Sequence, residues 1–175
     1  MDATDRQVAL IRRLFDGAEA RGLPLWLESG WAIDARLGAV TRAHDDVDVA
    51  YPQDREAEYL DLLRALGCGP REEEPYGFLC RCGGVLLDSE PCVRVGDAYT
   101  FPGFPDGACP PEKEGEIRGV RVRCLSWEAM YVEFAGYARE VPPARWRPKD
   151  AESLRLIEAH VPPAVRRALR LRAGL

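Results

Sequence analysis

The chain has 175 residues, of which 46% are hydrophobic and 30% are charged, and its formal net charge at pH 7 is -5. This length suits one folded unit with a subdivision and excludes two large independent domains. The acidic balance argues against a surface that binds nucleic acid, and no apolar stretch is long enough to span a bilayer. We therefore expect a cytoplasmic monomer with neither nucleic acid nor a membrane among its partners.

The amino-terminal segment predicts a helix, a strand and a second helix. Apolar residues recur at helical spacing from Thr4 until Gly22 ends the pattern, and Leu23 to Glu28 then predicts a short buried strand. Ser29-Gly30 breaks that strand, and helical spacing resumes from Trp31 to Leu37. The result is a strand, a tight turn and a short helix.

The middle of the chain predicts strands around a further helix. Carboxylates alternate with valines from Asp46 to Tyr51, which indicates a strand, and Asp54 to Leu66 has the pattern of an amphipathic helix. The later predicted strands are Gly77 to Cys82, Val85 to Ser89, Cys92 to Thr100 and Val120 to Leu125. The segment from Phe101 to Glu116 is rich in Pro and Gly and predicts a loop.

From Ser126 onward the pattern is helical. Aromatic and apolar residues recur at intervals of three and four after Trp127, until Pro142-Pro143 interrupts them. Two more helices are predicted at Pro148 to His160 and Pro163 to Arg172. We therefore predict an α+β fold, with a mixed sheet flanked by helices in residues 1–125 and a small helical domain in residues 126–175.

The six cysteines do not predict a disulfide framework, because a chain of this length and apolar content does not need one. Cys80 and Cys82 suggest a metal pair, but their C-x-C spacing differs from the C-x2-C spacing of zinc knuckles. They also lie in a strand-like run. We therefore do not expect structural zinc on this spacing.

Two carboxylates in the Asp46 to Tyr51 strand are candidates for metal binding. Residues two apart in a strand project from the same face, so Asp46 and Asp48 lie side by side while Val47 and Val49 pack beneath them. Magnesium is usually held by one or two carboxylates together with substrate phosphates. Two such ions about 3.5 to 4 Å apart can clamp the attacking and leaving oxygens of a displacement.

Asp88 is a third candidate, because it ends an apolar run on a strand that can lie beside the first. It is placed to bind one metal ion and to accept the proton of an attacking hydroxyl. The alternative is that Asp46 and Asp48 form a solvated edge and that Asp88 starts a turn. A lone D-x-D pair would favour that alternative.

The turn at Ser29-Gly30 supports the chemical interpretation. It precedes a helix, whose first amides and positive dipole end bind phosphate, and its glycine permits close approach of a ligand. Ser29 and Gly30 are therefore the candidate triphosphate turn.

The run from Ser29 through Arg42 and His44 to Asp48 resembles the signature of antibiotic nucleotidyltransferases in the DNA polymerase beta superfamily. More narrowly, the chain resembles the aminoglycoside 2''-O-nucleotidyltransferases. Further matches of this kind are Leu23-Pro24-Leu25-Trp26, Tyr76-Gly77-Phe78-Leu79, Leu86-Leu87-Asp88, Glu90-Pro91, Ser126-Trp127-Glu128-Ala129 and Glu140-Val141-Pro142-Pro143. The resemblance covers nearly the whole chain.

This resemblance implies a nucleotidyltransferase fold, ATP as the donor, two magnesium ions and an aminoglycoside as the acceptor. It implies that Asp46 and Asp48 are metal ligands and that Asp88 also acts as the base. Arg42 and Lys149 are implied to neutralise triphosphate oxygens. The expected reaction is transfer of AMP to a hydroxyl of the antibiotic, at the 2'' position, which gives resistance.

Several supporting residues carry alternatives. His44 is a candidate to contact the nucleotide, to orient a carboxylate or to make a structural hydrogen bond. Glu90 shares a strand face with Asp88 and is a candidate contact for a substrate amine or hydroxyl, and Tyr76 is a candidate to line the cleft or to be a buried aromatic. Glu133 offers a negative charge to an ammonium group.

The chain departs from the family pattern at two places. The family's glycine pair in the turn is Ser29-Gly30 here, and a residue with a side chain tolerates a positive φ poorly, although a serine hydroxyl can donate to phosphate. In the stretch after Trp127, Phe134 and Gly136 remove hydroxyls and bulk from the sugar cleft. A lincosamide or another small hydroxyl compound is therefore an alternative acceptor. A non-catalytic nucleotide-binding regulator and a toxin-antitoxin type transferase are further alternatives.

Overall fold

The fold was analysed in a computed structural model that describes residues 2–175, without the side chains of Glu140 and Pro143. The helices are α1 (Ala3–Glu19), α2 (Ser29–Leu37), α3 (Glu56–Ala65), α4 (Trp127–Glu140), α5 (Pro148–His160) and α6 (Pro163–Arg172). The strands are β1 (Trp26–Leu27), β2 (Val47–Pro52), β3 (Glu72–Glu74), β4 (Gly77–Cys82), β5 (Val85–Val95), β6 (Ala98–Thr100), β7 (Gly115–Ile117) and β8 (Val120–Val122).

A mixed sheet of six strands forms the centre of the fold. Its order is β1-β2-β5-β4-β3, with β6 also paired to β5, while β7 and β8 form a separate hairpin. Strands β2 and β5 are parallel, and the other pairs in the sheet are antiparallel. With helices packed around this sheet, the predicted α+β class is confirmed.

The buried side chains fill the space between the sheet and its helices. The largest side chains with almost no exposure come from several elements, which ties these elements into one core; they include Ile11, Leu14, Trp26, Trp31, Tyr59, Leu62, Phe78 and Leu87. At about 25 cal/mol per Å² of apolar surface removed from water, this burial is the main stabilising contribution to the fold. None of the helices in residues 2–175 has the length and apolar character needed to cross a bilayer.

The first helix begins earlier than its sequence pattern predicts. Its amino-terminal cap is Asp2, whose carboxylate accepts a hydrogen bond from the Asp5 amide at 2.7 Å, and the Asp5 side chain accepts one from the Asp2 amide. This reciprocal capping satisfies amides that the helix itself leaves free. Thr4 therefore lies inside α1 instead of preceding it.

Strand β5 is one continuous element where the sequence predicts two. Its pairing with β4 ends at Ser89, its pairing with β6 begins at Val93, and β2 pairs with it from Leu87 to Cys92. Pro91 lies between these two antiparallel partners, so its missing amide does not interrupt either of their ladders. The strand β7 also lies within a predicted loop, where it pairs with β8.

The three carboxy-terminal helices follow the sequence pattern closely. Ser126 caps α4, because its hydroxyl accepts a hydrogen bond from the Ala129 amide at 3.2 Å, and α5 and α6 each begin at a proline. Proline suits the first helical position, where no intrahelical donor is required. The division into a domain of residues 1–125 and one of residues 126–175 stays a prediction.

One disulfide joins Cys68 to Cys82, although the cysteine pattern did not predict a disulfide. Gly67 has a φ of 75° after the end of α3, and the amide of Gly69 donates to the carbonyl of Arg81 at 2.8 Å. These features turn the chain back along β4. The turn therefore brings together two cysteines that lie 14 residues apart in the sequence.

Candidate active site

The parallel strands β2 and β5 bring the predicted acidic residues together. Asp48 is the direct partner of Asp88 in the ladder, and Ala50 is the partner of Glu90. Because side chains two apart on a strand share a face, Asp48, Asp88 and Glu90 project from one side of the sheet. Asp46 lies immediately before β2 and lines the same cavity as Asp48.

Burial and mutual repulsion perturb the carboxyl groups of this cluster. Burial, followed by the neighbouring charges of Asp46 and Asp88, raises the pKa of Asp48 well above its ordinary value. Burial also raises the pKa of Asp88, while a hydrogen bond from the Tyr76 hydroxyl at 3.0 Å lowers it. Such a group of carboxylates is stabilised by a bound cation, and its oxygen atoms are the donors that magnesium prefers.

Three further acidic residues, Glu28, Glu90 and Glu133, extend the cluster. Burial and the charge of Glu133 raise the pKa of Glu90 to about 7, and burial raises the pKa of Glu133 to about 7. Burial and the charges of Glu90 and Glu133 raise the pKa of Glu28 well above its ordinary value. Negative charge is therefore concentrated beyond the aspartates as well.

The turn between β1 and α2 is held beside β2 by its backbone. The Glu28 amide donates to the Asp48 carbonyl, and the Glu28 carbonyl accepts from the Ala32 amide, both at 3.0 Å. The helix α2 starts at Ser29, so the amides of its first turn have no partner within the helix. Ser29 and Gly30 line a cavity of about 250 Å³, which is where these amides can meet an anion.

Ser29 adopts the left-handed conformation that its side chain makes unfavourable, with a φ of 48°. Its hydroxyl donates to Oε1 of Glu133 at 2.5 Å, which links the turn to α4. A charge-assisted hydrogen bond of this kind offsets part of the conformational cost. The hydroxyl proposed from the sequence as a phosphate donor is thus engaged with a carboxylate.

Gly30 packs tightly against two side chains of the following loop. A Cβ atom at this position would lie 2.7 Å from both Nδ1 and Cε1 of His44, and it would also strike the guanidinium of Arg42. Both side chains line the same cavity. The absence of a side chain at Gly30 therefore allows them to lie against the turn.

His44 is fixed by several contacts. Its Nε2 atom lies 2.7 Å from Oδ2 of the buried Asp34, and its ring packs on Trp31 with 4.3 Å between centroids. Thr41 donates to the other oxygen of Asp34 at 2.5 Å. Of the roles considered from the sequence, the structural hydrogen bond is present, and the Nδ1 edge of the ring faces Gly30.

Basic side chains also line this cavity. Lys149, at the start of α5, pairs with Asp45, and Arg42 donates to the Ala43 carbonyl at 3.0 Å. Arg147 caps the same helix, and its side chain makes two hydrogen bonds with Asp150, at 2.9 and 3.0 Å. Carboxylates and cations therefore line one space that a metal-bound polyphosphate can fill.

A second cavity of about 450 Å³ adjoins the first. Glu133 and Tyr137 line both cavities, while Glu90, Phe104 and Gly136 line the second. Glu133 also has an oxygen atom, Oε2, that is buried and has no hydrogen-bond partner among the described residues. The second cavity is thus lined by two acidic side chains, Glu90 and Glu133.

Comparison with known proteins gives the family. Residues 10–142 match the family model described as aminoglycoside-2''-adenylyltransferase. The chain belongs to this family. It is 48% identical over 156 residues to 2''-aminoglycoside nucleotidyltransferases of Escherichia coli and Klebsiella pneumoniae, and the match covers 89% of this chain and 87% of each relative. The recognition made from the sequence signature is therefore confirmed.

Solved structures agree with this assignment. The crystal structure of ANT(2'')-Ia in complex with adenylyl-2''-tobramycin has a TM-score of 0.91 and 44% identity, and the match covers 95% of this chain and 98% of that one. The lincomycin-bound structure of the lincosamide adenylyltransferase LnuA has a TM-score of 0.67 and 17% identity, and the match covers 91% of this chain and 99% of that one. The second likeness shows the shared nucleotidyltransferase fold alone.

Most of the residues singled out from the sequence line the two cavities, whereas Asp88 and Tyr76 line neither. Ser29, Gly30, Arg42, His44, Asp46, Asp48, Glu133 and Lys149 line the first, Glu90 and Glu133 line the second, and Tyr76 contacts Asp88. Their chemical roles stay predictions.

Sequence reasoning missed four residues around the cavities. Glu28 enters the acidic cluster, Tyr137 borders both cavities, and Arg147 and Asp150 line the first. Arg147 could have been predicted from the sequence, because it stands two residues before Lys149 at the start of a predicted helix. The position of Tyr137 depends on how α4 packs, which its own sequence does not reveal.

Proposed function

We propose that this chain transfers AMP from ATP to the 2'' hydroxyl of an aminoglycoside antibiotic and thereby gives resistance. The observation that carries the proposal is the meeting of Asp46, Asp48 and Asp88 beside the amino-terminus of α2. Relatives named as 2''-aminoglycoside nucleotidyltransferases, at 48% identity, support it, as does the ANT(2'')-Ia complex. The likeness to LnuA supports only the fold, so a lincosamide acceptor is the less favoured alternative.

The first cavity fits the triphosphate of the nucleotide. The free amides of α2 at Ser29 and Gly30 bind phosphate oxygens, and Arg42 and Lys149, which line the same cavity, offset their charge. Lys149 reaches phosphate by exchanging its ion pair with Asp45, which is exposed and therefore contributes little stability. These contacts hold the α-phosphorus toward the acidic cluster.

The acidic cluster fits two magnesium ions. Asp46 and Asp48 are the principal ligands, and Asp88 contributes to one ion, consistent with the raised pKa values of Asp48 and Asp88. When bound, divalent cations neutralise charge on the triphosphate and on the departing pyrophosphate. The intact cluster disfavours a regulator without catalytic activity.

Asp88 is the proposed general base. Its carboxylate accepts the proton of the substrate hydroxyl as that oxygen approaches the α-phosphorus, and Tyr76 orients the carboxylate through its 3.0 Å hydrogen bond. The reaction needs no covalent enzyme intermediate, because the hydroxyl displaces pyrophosphate directly. Tyr76 is half exposed, so it also lies within reach of a substrate at the mouth of the site.

The second cavity is the proposed aminoglycoside site. Glu90 and Glu133 bind ammonium groups, and the unpartnered Oε2 of Glu133 provides one acceptor that the protein leaves free among its described residues. Because Glu133 borders both cavities, an aminoglycoside bound there presents a hydroxyl toward the nucleotide. We further propose that the protein acts as a monomer and binds no nucleic acid.

Mass spectrometry of the reaction products tests this function directly. Incubation with magnesium and ATP should convert kanamycin, gentamicin or tobramycin to a product carrying one AMP, and fragmentation should place it on the 2'' oxygen. Asp88→Asn should lose this activity while it still unfolds cooperatively. Exclusive modification of lincomycin would favour the lincosamide alternative, and no adduct with any acceptor would overturn the proposed transfer.

A further inference from the structure

Three cysteine sulfurs converge at a place separate from the acidic cluster. Cys80 and Cys82 are two residues apart on β4 and face the same side, and Cys68 follows the end of α3. The three Sγ atoms all lie within 4.8 Å of one another. In the structure, Cys68 and Cys82 are joined and Cys80 is a buried free thiol.

The backbone fixes this convergence independently of the disulfide. Cys80 and Cys82 pair with Leu87 and Val85 in the ladder between β4 and β5. On the other side, the amide of Cys68 donates to the Leu63 carbonyl at 3.0 Å, and the next residue is hydrogen-bonded to β4. The three sulfurs should therefore stay neighbours after reduction.

A cavity beside the three cysteines gives an ion access to their sulfur atoms. A cavity of about 220 Å³ is lined by Cys68 and Cys80, with Phe78, Arg64 and Arg71 among its other walls. An ion can enter through this cavity, which leaves room for a fourth ligand from solvent.

Sulfur ligands determine the class of ion. Thiolates select soft or borderline cations such as zinc, whereas magnesium prefers oxygen. A tetrahedral zinc ion with bonds of about 2.3 Å to sulfur separates its sulfur ligands by roughly 3.8 Å. The observed grouping reaches this arrangement with side-chain shifts of about 1 Å and opening of the disulfide. The short C-x-C spacing is no obstacle once Cys68 supplies the third sulfur.

We propose that, after reduction of the Cys68–Cys82 disulfide, the thiolates of Cys68, Cys80 and Cys82 bind one thiophilic divalent cation of the zinc class. A two-electron reductant such as a water-soluble phosphine breaks the S–S bond; one water molecule supplies the oxygen of the phosphine oxide and the protons of the two thiols. The incoming cation then displaces the three thiol protons and takes solvent as its fourth ligand. Disulfide and metal site are alternative states of one cluster.

Cadmium titration of the full chain tests the proposal. The protein is reduced with phosphine, kept in excess magnesium to occupy the carboxylates, and titrated while the ultraviolet sulfur-to-cadmium charge-transfer absorption is followed. The reduced wild type should reach an endpoint at one equivalent, and native mass spectrometry should find one ion. Protein that has not been reduced should show no such endpoint.

Single variants distinguish the cluster from the other thiols. Cys80→Ala should lose the one-equivalent endpoint, whereas Cys109→Ala should keep it and thereby exclude the contacting thiols of Cys92 and Cys109 as the site. Should Cys80→Ala fail to fold, alkylation of the reduced wild type gives the same information, because cadmium should protect Cys68, Cys80 and Cys82. No endpoint in the reduced wild type, or equal binding by Cys80→Ala, would overturn the proposal.

Discussion

Replacing Gly30 with Ala should displace the side chains of His44 and Arg42 and thereby weaken the proposed nucleotide site. The new Cβ would lie 2.7 Å from Nδ1 and Cε1 of His44, whereas carbon atoms attract each other at about 3.5–4.0 Å. Something must therefore move by about 1 Å. His44 resists movement because Asp34 binds its Nε2 at 2.7 Å and Trp31 packs on its ring.

The expected cost of this displacement falls on catalysis rather than on folding. A misplacement of about 1 Å can cost on the order of 100-fold in rate, so kcat/KM for ATP should fall by roughly that factor. In a helix, Gly to Ala is intrinsically favourable by about 1 kcal/mol, which partly offsets the clash. The variant should thus remain folded.

Steady-state release of pyrophosphate at saturating aminoglycoside and varied ATP measures the effect. Circular dichroism melting checks that the variant is folded. Gly69→Ala is the matched control, since its Cβ would lie 3.6 Å from the Arg81 carbonyl, an ordinary contact outside the site. A folded Gly30→Ala enzyme with the kcat/KM of the wild type would refute the idea that Gly30 holds His44 and Arg42 against the triphosphate turn.

Three further predictions concern the acidic residues. Tyr76→Phe removes the hydrogen bond that lowers the pKa of Asp88, so the acid limb of the profile of kcat against pH should move to higher pH. An acid limb that does not move would exclude Asp88 as the titrating base. Because burial raises the pKa of Glu133 to about 7, the KM for kanamycin should fall as the pH rises from 6 to 8, and Glu133→Gln should flatten this dependence. The folded state keeps protons on Glu90 and Glu133 that the unfolded state releases near pH 4.5, so the free energy of unfolding in EDTA should fall between pH 5 and pH 8. Added magnesium should raise the melting temperature more at pH 8 than at pH 5, and a metal effect independent of pH would contradict this account.

The sequence predicted those features that depend on neighbouring residues along the chain. Prolines at positions 148 and 163 are the first residues of α5 and α6. Proline is tolerated better at the first position of a helix than anywhere else in it, so each proline predicts a helix start. The alternation of Asp46 and Asp48 with valines predicted β2 and the shared face of these two carboxylates. The sequence pattern suggested only that the strand of Asp88 can lie beside β2, and the family resemblance supported this pairing.

The sequence did not predict the features that depend on contacts between distant segments. The continuity of β5 through Pro91 is possible because different antiparallel partners pair with the strand before and after it. The disulfide depends on the left-handed Gly67, which turns Cys68 toward β4. No periodicity within one segment reports where another segment will lie.

At Ser29, which replaces a family glycine, a contact with a distant segment changes the effect that the side chain is expected to have. From the sequence, a side chain at a position of positive φ predicts strain and a disturbed phosphate turn. In the structure, the same side chain binds Oε1 of Glu133 and leaves Oε2 buried without a partner among the described residues. Leaving a buried carboxylate oxygen unpaired is costly, and a substrate ammonium would remove that cost on binding. Ser29 thus connects the turn proposed to bind ATP with the carboxylate proposed to bind the aminoglycoside. Its strained backbone conformation therefore places a hydroxyl that holds Glu133 in the proposed aminoglycoside site.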